Sequence, residues 1–346
     1  MTQVADRGYS DALTSSPVID VHAHLFVPDL EEMSADMPGR AEVNERTASW
    51  IGAETRAQSA IRHDALMYEL VDLDRRLEVM DMMGVDVQAV SLAPVQYCHW
   101  ADAPNADTLV ETANAAIAAY VAQCPSRLIG IAEVSLSHPY RAAVQLQRAV
   151  TEYDMRGVQI SSRAGHEELS APDLDPFWEV AASLGVPIFI HPLGSSLGER
   201  LAQRFLHNTV GQPVEHAIAL SHIVFSGVLD RHPDLRLCAA HGGGYLPYYL
   251  GRSDHAWETR PESRGCVDPP SKYFPMLYFD SLVYRGDSLR TLLDLVSADH
   301  VAMGTDYPYD MGVRDPLNRL DATPGLTPRE RKAIASDTAR QLLGMR

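Results

Sequence analysis

Near the start of the chain, the run Val18-Ile19-Asp20-Val21-His22-Ala23-His24 combines β-branched and apolar residues with two histidines. This composition predicts a buried strand. Successive side chains of a strand point to opposite faces, so His22 and His24 lie on the same face. Two such imidazoles can bind one metal ion, but they can also be polar residues in a strand-to-loop turn. Metal-binding side chains at the ends of other strands would favour the first of these two interpretations.

Seven further apolar runs follow, and segments with helical spacing separate them. Such an alternation predicts a parallel sheet whose faces are covered by helices. Eight strand–helix units predict an α/β fold, and specifically a closed (β/α)8 TIM barrel. An open doubly wound sheet fits the sequence less well, because no Gly-x-Gly-x-x-Gly motif follows the first strand. The seven runs are Val85–Leu92, Arg127–Val134, Gly157–Ile160, Pro187–His191, Leu235–His241, Leu277–Ser281 and Val301–Asp306.

We expect residues 1–346 to form a single barrel domain. Residues 1–16 are predicted to be a polar leader, and residues 26–64 a long, irregular insertion after strand 1 that forms a lid. Helical spacing predicts a helix over Leu70–Met83. It also predicts an interrupted helical region from Glu199 to Arg231 and a helical tail over Thr327–Leu343.

The charge and cysteine content restrict the kinds of partner and compartment. The formal net charge is -17, which argues against binding to nucleic acid or to an anionic membrane surface. The four cysteines are widely spaced and form no Cys-x-x-Cys motif, which indicates reduced thiols. No segment reaches the ~20 apolar residues of a membrane helix, and the polar start shows no secretory signal. We therefore expect a cytoplasmic protein.

Four of the predicted strands end in side chains that can bind a metal ion. Because the carboxyl ends of barrel strands share one face, we expect these side chains to lie close together. Three imidazoles and one carboxylate suit a single divalent ion, with zinc favoured and manganese as the alternative. The predicted ligands are His22, His24, His191 and Asp306, which leaves His241 beside them as a base. The fourth strand carries no lysine, which argues against two metals bridged by a carboxylated lysine.

A set of short motifs occurs in one order along nearly the whole chain. The motifs are Ile19–His24, Gly84–Ser91, Gly157–Ile160, Phe189–Pro192, Gly227–Leu229, Ala240–Gly244, Gly251–Arg252 and Gly304–Pro308. This set resembles the amidohydrolase superfamily. It is most similar to the metal-dependent branch that contains the aminocarboxymuconate-semialdehyde and hydroxybenzoate-type decarboxylases.

The resemblance implies one divalent metal in a barrel, usually zinc, with the ligands given above and with His241 and Asp306 as catalytic groups. It also implies a homodimer in which Arg252 reaches the neighbouring subunit and binds a substrate carboxylate. Arg62 is the nearest candidate for a second substrate arginine. Trp100 and Tyr309, with Tyr97 and His99, are candidates for lining the substrate pocket. Leu193 stands where the family's type enzyme has an aromatic residue, so this resemblance does not specify the substrate.

The sequence therefore predicts a non-oxidative decarboxylase, a carboxy-lyase, of a small unsaturated or aromatic carboxylic acid. A metal-bound water or hydroxide and the base His241 would carry out the reaction. The alternative is a hydrolase or hydratase on the same barrel, because the same groups can open a lactone or hydrate a double bond. A third interpretation is a structural zinc protein, which predicts a closed site with no open coordination position.

Overall fold

The structure is a computed structural model that describes residues 16–345. Eight parallel strands form its centre, and nearly all of their residues are buried. We number them β1 Ile19–Leu25, β2 Val87–Leu92, β3 Leu128–Gly130, β4 Val158–Ile160, β5 Pro187–Ile190, β6 Arg236–Ala239, β7 Tyr278–Asp280 and β8 Val301–Ala302. A short antiparallel pair, Arg163–Ala164 with Glu167–Glu168, follows β4 outside this set.

The strands form two parallel sheets, β1-β2-β3 and β8-β7-β6-β5-β4. Both seams between the sheets are bridged by backbone pairing. At one seam Ala132 pairs with Val158, and at the other Ala23 pairs with Tyr307. The second seam also carries hydrogen bonds from Val21 N to Met303 O at 2.9 Å and from His24 N to Tyr307 O at 2.8 Å. The ring of eight strands is thereby closed, and the predicted TIM barrel is confirmed.

Fourteen α-helices lie among the described residues, and at least one of them separates each barrel strand from the next. Their caps follow from the sequence: the Asp72 side chain accepts from Arg75 N at 2.7 Å, and the helix after it ends at Gly84 in a left-handed conformation. The helices are α1 Pro28–Ser34, α2 Arg40–Ile51, α3 Ala53–Val71, α4 Leu73–Met83, α5 Ala103–Val121, α6 Pro139–Glu152, α7 Asp175–Leu184, α8 Gln212–Phe225, α9 Val228–Arg231, α10 Leu250–Thr259, α11 Gly286–Val296, α12 Pro316–Asp321, α13 Pro328–Lys332 and α14 Thr338–Leu342.

Two expectations about the helices need correction. Residues 26–64 are not irregular, because α1, α2 and most of α3 lie there. The helix expected over Leu70–Met83 is two helices, since α3 ends at Val71 and α4 begins at Leu73. The region from Glu199 to Arg231 is helical in pieces, as expected, with a π-helical turn over His207–Gly211 that leads into α8.

The helical tail is present as α13 and α14, joined by a π-helical turn. The polar leader lies outside the described residues except for its last position. Between residues 16 and 345, we find no helix that is both long enough and apolar enough to cross a membrane.

Candidate metal centre

Side chains from β1 and from the segments that follow β5 and β8 meet at the carboxyl end of the barrel. They are His22 and His24 in β1, His191 directly after β5, and Asp306 after β8. All four are buried, and one nitrogen or oxygen atom from each lies within 4.8 Å of the others. Oδ1 of Asp306 is 3.2 Å from Nε2 of His22 and 3.2 Å from Nε2 of His24. The four residues predicted as ligands therefore converge on one point.

Several buried atoms of these four residues have no hydrogen-bond partner within residues 16–345. They are Nε2 of His22, Nε2 of His24, both ring nitrogens of His191, and Oδ1 of Asp306. Unpartnered buried polar atoms are costly, and so many in one place call for a ligand that satisfies them together. Three imidazole nitrogens and one carboxylate oxygen form a donor set that a divalent ion satisfies. The residues present fit one such ion.

The far side of each ring of the His-x-His pair is held by another side chain. Nδ1 of His22 lies 2.7 Å from Oδ2 of Asp280, and Nδ1 of His24 lies 3.2 Å from Oγ of Ser91. Asp280 also accepts a hydrogen bond from the backbone N–H of Gly242 at 2.9 Å. Such partners fix which ring nitrogen points at the metal and are typical of metal-binding histidines.

A second buried network holds the backbone of β1. Asp20 accepts hydrogen bonds from Nε2 of Gln88 at 2.9 Å and from Oγ1 of Thr305 at 2.6 Å. Arg76 donates to Oε1 of Gln88 at 2.6 Å and to the carbonyl oxygen of His24 at 2.5 Å. The network therefore connects β1 with β2, with α4 and with the chain after β8. Three of the four candidate ligands lie in β1 and in the chain after β8.

Burial and neighbouring charge set the protonation of the cluster. Burial lowers the pKa of His22, but the carboxylates of Asp306 and Asp280 outweigh it and raise the pKa to about 10. Burial lowers the pKa of His24 to about 4, and burial with nearby histidines holds the pKa of His191 well below its usual value. Burial raises the pKa of Asp306, but the surrounding histidines outweigh it and hold that pKa well below its usual range. The cluster thus offers an ionised carboxylate and neutral imidazoles at His24 and His191, whereas His22 is protonated and would have to release its proton to bind a metal ion.

His241 lies beside this cluster with its Nε2 3.6 Å from Oδ2 of Asp306. The two oxygens of Asp306 therefore face different groups, since Oδ1 faces the His-x-His pair. His241 and Asp306 both have positive φ, 52° and 57°. Non-glycine residues rarely adopt this conformation, and such strain concentrates at functional sites.

A cavity of ≈ 1190 Å³ opens from the cluster toward α2 and α3. His191, His241 and Asp306 line its inner end, and α2 and α3 form much of its outer wall. Of the residues predicted to bind substrate, the wall contains Arg62, Trp100 and Tyr309, together with Tyr97 and His99. The segment expected to be a lid is thus helical and forms part of the cavity wall.

The predicted substrate residues differ in their surroundings. The ring of Tyr309 is 5.4 Å from that of His24, and its buried hydroxyl has no partner within the described chain. Arg62 is exposed and pairs with Oδ2 of Asp310 at 3.0 Å. The ring of Trp100 lies against the guanidinium of Arg40. Arg252 is exposed on α10 and is not part of the cavity wall that residues 16–345 form, so one protomer alone does not bring it to the site.

Three further residues of the site, Asp280, Ser91 and His216, were not predicted from the sequence. Nε2 of His216 lies 3.1 Å from Nδ1 of His241. Asp280 ends β7 and has the same strand-end position as the predicted ligands, so the same rule would have found it. Ser91 lies within β2, opposite His24 in the strand register. His216 lies in the middle of α8, where no local pattern distinguishes it from a core residue.

Comparisons with known proteins give a consistent result. The family described as "Amidohydrolase" matches residues 19–345. The 2-amino-3-carboxymuconate-6-semialdehyde decarboxylase of Dictyostelium discoideum is 32% identical over 276 residues, which are 79% of this chain and 77% of that protein. The gamma-resorcylate decarboxylase of a Polaromonas species is 29% identical over 266 residues, which are 71% of this chain and 80% of that protein.

Solved structures share the fold. A manganese-bound structure of 5-carboxyvanillate decarboxylase from Novosphingobium aromaticivorans superposes with a TM-score of 0.84 at 21% identity, and the match covers 95% of this chain and 97% of that one. A 2,6-dihydroxybenzoate decarboxylase superposes with a TM-score of 0.81 at 24% identity, with 96% and 100% covered.

Proposed function

Because the chain belongs to the amidohydrolase family, we propose that it is a metal-dependent, non-oxidative decarboxylase of a small aromatic or unsaturated carboxylic acid. The observation that carries this proposal is the buried group of three histidines and one aspartate with His241 beside it, at the inner end of a cavity. The names of the relatives support it, since they are decarboxylases of acids of these kinds. The activity belongs to the class of carboxy-lyases that degrade aromatic compounds.

We propose that His22, His24, His191 and Asp306 hold a single divalent ion. The imidazole-rich donor set favours zinc, and manganese, which is bound in the structural neighbour, is the alternative. A bound ion would polarise substrate oxygens and make a coordinated water acidic. Metal analysis of protein purified without added metal tests this assignment, and we expect about one zinc ion per chain. If manganese restores activity to the metal-free protein and zinc does not, the metal assigned to this site becomes manganese.

His241 is the proposed catalytic base and acid. Decarboxylation breaks the bond between the carboxyl carbon and the substrate carbon, and the electron pair left behind must take up a proton. An imidazole can hold and deliver this proton near neutral pH. Asp306 would serve the metal through Oδ1 and face His241 through Oδ2, as their different neighbours suggest.

We propose that Arg62, Trp100 and Tyr309 contact the substrate and that α2 and α3 act as a lid over it. Arg62 can bind a carboxylate through two parallel hydrogen bonds, and its present pair with Asp310 is exposed and of little value to stability. We expect Arg62→Ala to raise KM with little effect on kcat. Arg56→Ala, an exposed position on the same helix, should leave both unchanged.

A cytoplasmic location is part of the proposal. The four cysteines are free thiols in the structure, which suits a reducing compartment. Fractionation of the source cells, with the protein followed by antibody, tests the location.

The decisive experiment is to measure carbon dioxide release. We would incubate the metal-loaded protein with 2,6-dihydroxybenzoate, 5-carboxyvanillate and 2-amino-3-carboxymuconate semialdehyde. Release of carbon dioxide in step with product is expected from at least one acid. Product without carbon dioxide would establish the hydrolase or hydratase alternative. Metal held tightly without any turnover would support the structural zinc protein.

A matched variant separates catalysis from metal binding. His241→Ala should abolish turnover while the metal content stays near that of the wild type. If the metal is lost as well, His241 is a ligand and its role as the base is wrong.

A further inference from the structure

One buried histidine near the proposed active site has no role in the mechanism described so far. His216 lies on α8, is completely buried, and places its Nε2 3.1 Å from Nδ1 of His241. The two rings are 5.3 Å apart and nearly perpendicular, with an interplanar angle of 72°. The other nitrogen of His216, Nδ1, has no hydrogen-bond partner within residues 16–345. Among the described residues, His241 is therefore the one hydrogen-bond partner of the His216 imidazole.

The turn that contains His241 packs directly on the face of α8 that carries His216. A Cβ atom at Gly244 would lie 2.2 Å from the carbonyl oxygen of Pro213, and one at Gly243 would lie 3.3 Å from Cδ1 of Leu220. Pro213, His216 and Leu220 are spaced three and four residues apart, so they share one face of the helix. His216 is thus the polar member of an otherwise apolar contact surface.

The other side of the same turn is held by Asp280, which accepts from the N–H of Gly242 and contacts His22. The backbone is therefore fixed, but the imidazole of His241 still needs a partner to fix its rotation. With Nδ1 hydrogen-bonded to His216, Nε2 is the nitrogen that faces Asp306 and the cavity.

We infer that His216 is a positioning residue that holds the imidazole of His241 with Nε2 toward the substrate. This inference deepens the proposed function and rests on it. A neutral imidazole suits the role, because its Nε2 can donate to His241 Nδ1 or accept from it. His216 can therefore accompany His241 through both of its tautomers and its protonated form, whereas an aliphatic residue supports none of them. Burial holds the pKa of His216 well below its usual value, which keeps this partner neutral.

The test compares His216→Phe with His216→Gln. Phenylalanine fills the space without a hydrogen-bonding atom, whereas the amide of glutamine reaches about as far as Nε2 and can donate or accept. We expect kcat to fall about 10²-fold in the Phe variant, with KM and metal content unchanged, and to recover most of this loss in the Gln variant. His222→Gln, at an exposed position on the same helix, is the control and should match the wild type.

Several results would overturn the inference. They are an undiminished kcat in the Phe variant, equal losses in the Phe and Gln variants, or loss of metal together with activity. If the Phe variant does not fold, His216→Asn replaces it, because its shorter amide does not reach Nδ1 of His241. Equal activity of the Asn and Gln variants would then contradict the role.

A measurement without substrate keeps this inference separate from the proposed function. In the metal-loaded protein with ¹⁵N-labelled histidine, the ring nitrogen shifts report the tautomer and hydrogen bonding of His241. We expect them to change in the Phe variant and to stay close to those of the wild type in the Gln variant. If the wild type releases no carbon dioxide from any acid, the decarboxylase proposal fails, while these shifts still decide whether His216 holds His241.

Discussion

The carboxylate of Asp280 joins two parts of the candidate site, because one oxygen contacts Nδ1 of His22 and the other accepts from the N–H of Gly242. We expect Asp280→Asn to weaken metal binding by about 10- to 100-fold, as loss of such a partner typically does. Competition with a chelator, followed by metal analysis, measures this. Asp287→Asn, which changes an exposed carboxylate, is the control. Unchanged affinity in Asp280→Asn would mean that His22 does not depend on this partner.

Glu133 offers a residue-level test of pH dependence. It is buried, one of its oxygens accepts from the N–H of Cys98 at 3.2 Å, and burial raises its pKa from 4.5 to about 8. Between these two values the unfolded chain is ionised at this position while the folded protein keeps the proton. Folding therefore takes up a proton, and the contribution of Glu133 to stability falls as the pH rises from about 4.5 to about 8.

We expect Glu133→Gln to remove this pH dependence. Its stability relative to the wild type should rise by about 1.4 kcal/mol per pH unit within that window. Urea unfolding at a series of pH values measures the difference, and Glu258→Gln, at an exposed position on α10, is the control. A difference that does not vary with pH would contradict the buried, protonated carboxyl.

Among the elements, the turn after β6 places the strongest demand on its sequence. Gly244 has a φ of +67°, and an added Cβ would lie 2.2 Å from the backbone oxygen of Pro213. Gly244→Ala must therefore shift the turn away from α8 or strain its backbone, at a cost of about 1–3 kcal/mol or more. Because the turn carries His241, we expect kcat to fall together with the melting temperature.

Gly251→Ala is the matched control for this prediction. It lies seven residues further along, near the start of α10, and an added Cβ meets nothing within 4 Å. Alanine favours a helix over glycine, so this variant should keep full activity and equal or exceed the wild type in stability. If Gly244→Ala and Gly251→Ala have the same kcat and the same stability, the packing of the turn against α8 does not hold His241 in place.

The elements also show which parts of the structure the sequence could predict. The barrel strands were predictable because they are buried on both faces and read as continuous apolar runs. The four candidate ligands were predictable because they lie at or near the carboxyl ends of such strands. Helices α2 and α3 were not, since they bury few residues, among them Trp50 and Leu70, and so carry no regular apolar stripe. The role of His216 was not predictable from the sequence, because its contact with His241 forms where two elements that are distant in the chain pack together.

Arg252 is exposed on α10 and does not reach the candidate site within one protomer, so a role in that site requires a second subunit. Exposed aromatic residues lie just before α10: Tyr245 is 46% exposed, Tyr248 40% and Tyr249 67%. Exposed apolar groups beside one another favour an interface between subunits. A two-fold dimer through this surface would place Arg252 of each protomer next to the partner. Sedimentation at working concentration should therefore show a dimer, and an active monomer would contradict it.

Mixing two inactive variants tests whether Arg252 acts across the dimer. In a hybrid of His241→Ala with Arg252→Ala, the site on the second chain keeps its own His241 and receives the intact Arg252 of the first chain. Half of randomly mixed dimers are hybrids and each has one intact site, so the mixture should recover about a quarter of wild-type activity. Each variant alone should stay inactive. A mixture of His241→Ala with Asp306→Ala should also stay inactive, because each change removes a group from the site of the chain that carries it and the partner cannot replace it. No recovery in the first mixture, with hybrids confirmed by tag-based isolation, would mean that Arg252 does not serve the partner's site.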